Sequence, residues 1–127
     1  MKSEPMIAVR DVEASSRFYC RVLDAKSGHG GKEYEQIVRE GTLLLQLHHR
    51  DAHEHPNLLD ENVPVGNGVL LWFRTKGFDA AVERAREAGA EVLEEPHMNR
   101  LAGHRECLLR DPDGYKVVLA STFGDLP

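Results

Sequence analysis

The chain spells nearly the same pattern twice, and that repeat limits its fold more than any other feature. Met6 to Val9 is a short apolar run with the character of a strand. Asp11, a good N-cap, opens a helical stretch in which Val12, Ser16, Tyr19 and Leu23 share one face. Ser27-Gly28-His29-Gly30-Gly31 breaks that stretch. Tyr34 to Val38 and Leu43 to His48 then read as strands, with Glu40-Gly41 as the hairpin turn between them. After a polar interval the pattern restarts. Val69 to Phe73 is a strand, and Phe78, Val82, Ala85 and Ala88 form a helix face that Gly89 ends at a C-cap position. Glu91 to Leu93 and Arg105 to Leu109 read as strands, separated by a polar loop over Glu94 to Arg100. Asp111-Pro112-Asp113-Gly114 has Asp, Pro and Gly where a type I turn wants them, and Tyr115 to Ala120 closes the set. Helix starts recur about 66 residues apart, at Val12 and Phe78, so this is a duplication and not a solenoid array. Neither half could cover both faces of its own sheet; pairing two such sheets would produce a cleft.

Composition removes several alternatives. With 127 residues the chain suits one domain, or two small halves sharing one core, and needs no metal or disulfide staple to fold. No apolar run approaches the roughly 20 residues of a membrane helix, and MKSEPMIAVRD carries no apolar signal core, which argues for a cytoplasmic protein. Acidic residues outnumber basic ones by 21 to 16, a net charge of −5, and no Lys/Arg cluster stands out, so nucleic acid is not an expected partner. Cys20 and Cys107 lack Cys-x-x-Cys spacing and read as small buried residues in a reducing compartment. Residues 50–67 are polar, contain Pro56 and Pro64, and look like a long connector of the kind that often carries function. Four of the seven histidines, His48, His49, His53 and His55, fall at or near its start; their uneven spacing suits a solvated loop better than a metal site. No Gly-x-Gly-x-x-Gly, phosphate loop or Gly-x-Ser-x-Gly is present, which leaves nucleotide cofactors and serine hydrolase chemistry without support.

Three motifs carry a family. Asp11-Val12-Glu13-Ala14-Ser15-Ser16-Arg17-Phe18-Tyr19, followed by Val22-Leu23, resembles the opening of the glyoxalase/bleomycin-resistance/dioxygenase group, the vicinal oxygen chelate superfamily. Leu71-Trp72-Phe73, Phe78-Asp79-Ala80-Ala81 and Ala88-Gly89-Ala90 are similar to its second opening, and Asp111-Pro112-Asp113-Gly114-Tyr115 to its closing turn. The resemblance spans about residues 4 to 121. It implies an α+β fold of two tandem βαβββ modules whose mixed sheets pair to form a cleft, within a single domain over 1–127. Module one would cover about 4–49, the connector 50–67 and module two about 68–122. A homodimer is commonly implied as well.

The resemblance also implies a metal, and here the chain departs from the pattern. The ligand columns of the family's metalloenzymes fall on Glu4, Gln46, Leu70 and Val118. Leucine and valine offer no donor atom, while catalytic divalent sites usually need three protein ligands. No cofactor is therefore expected at the usual columns. A divalent metal remains open only at a displaced set, His48, His104, Glu106 and Gln46.

Strand alternation supplies the rest of the candidate site. If Gln46 faces the cleft, so does His48; if Leu70 does, so does Trp72; and His104, Glu106 and Leu108 share one face. In relatives resembling fosfomycin-resistance proteins, the columns of Glu106 and Leu108 touch substrate. The expected binding residues are Gln46, Leu70, Trp72, Leu108 and Val118, with His97 and Asn99 as further contacts. Glu106, His48 and His104 are the expected acid–base groups, since a carboxylate beside an imidazole fixes its tautomer. Three functions compete. One is a metal-free protein that binds or sequesters an aromatic or cationic small molecule, Trp72 offering a face to stack on. Another is a lyase- or dioxygenase-type enzyme using displaced ligands or a metal-free Glu/His pair. The third is a non-catalytic dimeric interaction protein.

Overall fold

A computed structural model describes residues 2–50, 62, 64–66 and 69–125. The chain divides into two compact units, Met1–Pro64 and Val65–Pro127. In the first, the order is β1 (Met6–Val9), α1 (Val12–Leu23), β2 (Lys26–Ser27), β3 (Tyr34–Arg39) and β4 (Thr42–His49), and the sheet runs β1-β4-β3-β2. In the second, β5 (Leu70–Arg74), α2 (Phe78–Glu87), β6 (Glu91–Asn99), β7 (His104–Arg110) and β8 (Lys116–Ala120) form a sheet ordered β5-β8-β7-β6. Each sheet is mixed: β1 is parallel to β4 and β5 to β8, and the remaining neighbours are antiparallel. The expected βαβββ repeat is present in both units, the short β2 supplying the first of the three strands after the first helix.

The local chemistry explains these boundaries. Asp11 accepts the Ala14 N–H at 2.9 Å and caps α1, whose buried face is Val12, Ser15, Ser16, Tyr19, Val22 and Leu23. The β3–β4 hairpin turns on Glu40 and Gly41, both at positive φ (51° and 78°), the pair of left-handed residues that a two-residue primed turn demands. In the closing turn the Asp111 carboxylate accepts the N–H groups of Asp113, Gly114 and Tyr115 at 2.8–2.9 Å, and Gly114 takes φ +105°, which only glycine adopts freely.

Each helix covers one face of its own sheet. In the first unit Ile7, Val9, Leu45, Leu47 and Ile37 are buried in the core that α1 closes. In the second, α2 brings Phe78, Ala81, Val82 and Ala85 to a core with Leu71, Cys107, Leu109, Val117 and Leu119. Among the described residues no helix is long and apolar enough to cross a membrane.

Two expectations need correction. Glu94 to Arg100 is not a loop: β6 continues to Asn99, which pairs with His104. Its register slips between Val92 and Glu94 and again between Glu94 and His97, so Pro96 sits in a bulged stretch of an edge strand, where a missing N–H costs no ladder bond. Cys20 is half-buried rather than buried; Cys107 is buried as expected, and burial pushes its thiol up to about 11. His53, His55 and most of the 50–67 connector lie outside the described residues.

Candidate functional site

The cross-strand register of the second unit puts most of the predicted site residues on one surface. Trp72 stands opposite Val118, and Val118 opposite Leu108. One step along, Arg74 pairs with Ala120, Ala120 with Glu106, and Glu106 with His97. Leu70 lies two residues before Trp72, and Asn99 pairs with His104, so Leu70, Trp72, Leu108, Val118, Glu106, His104, His97 and Asn99 all share the face turned away from α2. Trp72 and Leu70 are strongly exposed there, at 42% and 51%.

A hydrogen-bonded chain crosses this face. His104 is buried, and its Nε2 lies 2.6 Å from Glu106 Oε2. Its Nδ1 is 3.2 Å from Arg74 Nη1, which also donates to the Ser121 carbonyl. The Arg74 guanidinium lies over the Phe123 ring at 3.9 Å, and the His104 ring sits 5.6 Å from that of Trp72 and 5.9 Å from that of Phe123. The other Glu106 oxygen, Oε1, has no hydrogen bond among the described residues; His97 Nε2 stands 3.7 Å away and is itself 3.8 Å from Glu94. Glu106 keeps 17% of its side chain exposed, so Oε1 is a carboxylate oxygen with room for a donor. Neither Arg74 nor Phe123 stood out in the sequence. Strand parity with Trp72 would have flagged the arginine.

The first unit holds the other two predicted residues, Gln46 and His48, on the sheet face opposite α1. Tyr34 Oη donates to Gln46 Oε1 at 2.6 Å, and Gln46 Nε2 donates to the Glu4 carbonyl at 2.9 Å. His48 is buried and meets the Tyr34 ring edge-on at 6.1 Å.

The metal columns can be tested on this geometry. Gln46 has its amide oxygen and its amide nitrogen already bonded within the unit, and Leu70 and Val118 carry no donor atoms, so Glu4 is the only free oxygen donor of the four. That set does not fit a divalent cation held by three protein ligands. Among the described residues, no group of three His, Cys, Asp or Glu side chains is arranged to hold a metal ion.

A second carboxylate, unanticipated from the sequence, lies on the helix side of the first sheet. Glu35 is buried and accepts five hydrogen bonds: from Ser16 Oγ (2.8 Å) and Ser27 Oγ (2.7 Å) on Oε2, and from the backbone N–H groups of His29 (3.1 Å), Gly30 (2.8 Å) and Gln36 (2.8 Å) on Oε1. Burial alone would raise its pKa, but the bonds from Ser27, Gly30, Ser16 and Gln36 outweigh burial and bring it from 4.5 to about 2. It fastens the 27–30 loop to α1 and β3.

Two βαβββ units, with a polar cluster on the helix-free face of the second, define the class of protein. A family model described as the Glyoxalase/Bleomycin resistance protein/Dioxygenase superfamily matches residues 3–119, and the chain belongs to that superfamily. Its fold is similar to that of a glyoxalase/bleomycin resistance protein/dioxygenase family enzyme from Burkholderia phytofirmans PsJN, at 21% identity over 94% of this chain and 96% of that one, with a TM-score of 0.77. It is likewise similar to hypothetical protein SA1046 from S. aureus (21% identity, 96% and 94% covered, TM-score 0.76). The fosfomycin resistance protein FosX from Mesorhizobium loti is another similar structure (17% identity, 96% and 92% covered, TM-score 0.70). None of the curated proteins matches the chain.

Proposed function

We propose that this chain binds a small aromatic or cationic molecule on the helix-free face of its second sheet, without a resident metal at the family's usual columns. The observation that carries this reading is Trp72: a large ring, 42% exposed, on the same strand face as a carboxylate with an unbonded oxygen. An exposed indole beside an anionic acceptor suits a guest with a planar ring and a donor-bearing or positively charged group. Leu70, Leu108 and Val118 add the apolar surface such sites usually have, and His97 and Asn99 would contact the guest from the edge strand. Gln46 and His48 belong to the proposal through the first unit. The reading also carries a homodimer, a single functional domain made of both units, and a cytoplasmic location.

Trp72 is the only tryptophan, so its fluorescence reports on this face directly. Titration with a panel of aromatic amines and aromatic carboxylates is expected to give saturable quenching by amines, and calorimetry on Trp72→Ala a clear loss of affinity. Equal affinity in the variant would overturn the assignment. Sedimentation velocity tests the dimer.

A second reading is favoured by the 2.6 Å contact between His104 and Glu106: an enzyme in which this pair moves a proton. It predicts turnover that Glu106→Gln abolishes while the fold is kept. Full activity of that variant on an identified substrate would remove Glu106 from any acid–base role.

A further inference from the structure

We infer that Arg74 is the positioning residue of this face: it fixes His104 as the Nε2–H tautomer, and so fixes which oxygen of Glu106 is left for a guest. A guanidinium donates hydrogen bonds and accepts none. Arg74 Nη1, 3.2 Å from His104 Nδ1, therefore requires a bare lone pair on that nitrogen. The ring proton must then sit on Nε2, where it is donated to Glu106 Oε2 at 2.6 Å. The opposite tautomer would set a donor against a donor at Arg74 and a lone pair against a carboxylate at Glu106, losing both bonds at a buried ring. A doubly protonated ring would keep the Glu106 bond but direct its Nδ1–H at the guanidinium.

Arg74 is itself placed by its bond to the Ser121 carbonyl and its stacking over Phe123 at 3.9 Å. The consequence reaches the surface. Oε2 of Glu106 is occupied by a permanent donor and Oε1 is left as an acceptor only, so the group that docks there must bring a hydrogen: an ammonium, an amidinium or a hydroxyl, not a carboxylate or a carbonyl. This last step rests on the proposed binding face; the tautomer does not.

The tautomer can be read without any ligand. Long-range nitrogen–proton correlation spectra of the uniformly nitrogen-15-labelled protein at neutral pH, with His104 assigned by its loss in His104→Gln, are expected to show Nε2 protonated and Nδ1 bare. In Arg74→Leu, where Glu106 still accepts from Nε2 but no donor requires a bare Nδ1, the wide separation between the two nitrogen shifts is expected to narrow as Nδ1 gains a proton, and Arg74→Lys, which restores a donor-only cation, should recover much of it. A wild-type spectrum with Nδ1 protonated, alone or together with Nε2, would overturn the inference whether or not any variant folds. So would an Arg74→Leu spectrum identical to wild type. An arginine that served packing alone would change the melting temperature and leave these shifts in place. If instead the tautomer is as stated and no aromatic amine quenches Trp72, it is the binding face that fails, not the role of Arg74.

Discussion

Glu35 in the first unit and Glu106 in the second are two strand glutamates handled in opposite ways. Glu35 lies on the helix side of its sheet, almost wholly out of solvent, with five donors turned on its two oxygens. Glu106 lies on the helix-free side of its sheet, with one oxygen bonded to His104 and the other without a hydrogen bond among the described residues, His97 Nε2 standing 3.7 Å from it. A buried anion that is fully satisfied has no capacity left for a ligand; it orders the backbone around it. An anion bonded on one side only, and still reached by solvent, retains an acceptor that a guest can use. In this chain the count of hydrogen bonds, more than burial or charge, separates the structural carboxylate from the candidate binding one.

The comparison can be broken most severely at Glu35. Glu35→Ala leaves five donors without their acceptor, two hydroxyls and three backbone N–H groups. Since stranding even one buried partner costs roughly 1–3 kcal/mol, and some donors will find water, a loss of about 3–5 kcal/mol in urea unfolding at pH 7 is expected. A loss below about 1 kcal/mol would mean that the loop does not depend on the carboxylate. The same site has a pH signature. Its folded pKa, near 2, lies below the ordinary 4.5, so the stabilisation is fully present above about pH 5 and disappears as pH falls towards 2. A shift of that size corresponds to about 3 kcal/mol. The stability gap between wild type and Glu35→Gln should therefore shrink steadily between pH 5 and pH 2; a gap independent of pH would show that Glu35 is not held as the anion.

How far the sequence could foretell this differs between the two carboxylates. The repeat, both helices and both turns follow from local chemistry, Asp11 capping α1, Glu40-Gly41 turning the hairpin and Asp111 organising its own turn, so one stretch of residues sufficed to see them. Glu106 was legible through strand parity with His104 and Leu108. Glu35 was not singled out, because its donors come from α1, β2, the following loop and β3, and only the fold collects them. One signal was available: Glu35 shares its strand parity with the core residue Ile37, which marks a charge heading inward. The stretch of β6 from Glu94 to Asn99 shows no strand pattern for a related reason. Glu94-Glu95-Pro96-His97 has no alternation because the bulged edge strand has no regular inner face to keep apolar. Arg74 and His104, thirty residues apart, meet only through the register that carries β5 past β8 to β7.

Smaller effects are expected at Glu106, and in a different observable. Glu106→Gln keeps an oxygen able to accept from His104, so unfolding free energy should change by under about 1 kcal/mol. Affinity for an aromatic amine should fall by about 1.5–3 kcal/mol, because a charge-assisted bond becomes a neutral one. Calorimetry of binding beside urea unfolding checks both at once. A variant that loses stability as Glu35→Ala does would erase the distinction between the two carboxylates.

The smallest effect is expected from metal removal, and its smallness is informative. A divalent ion bound at the family's usual columns would stabilise the folded chain by mass action, so a chelator would lower the melting temperature by several degrees. Here Gln46 is bonded through its oxygen to Tyr34 and through its nitrogen to the Glu4 carbonyl, and Leu70 and Val118 have nothing to offer. Thermal melts with and without excess chelator should coincide to within about 1 °C, and added zinc or manganese should not raise the midpoint. A chelator-sensitive melt in the wild type that Glu106→Gln abolishes would place a cation on the second unit's face. In that case the bare oxygen of Glu106, read here as the anchor for a guest's hydrogen, would be a metal ligand instead, and the contrast with Glu35 would have to be redrawn around the ion.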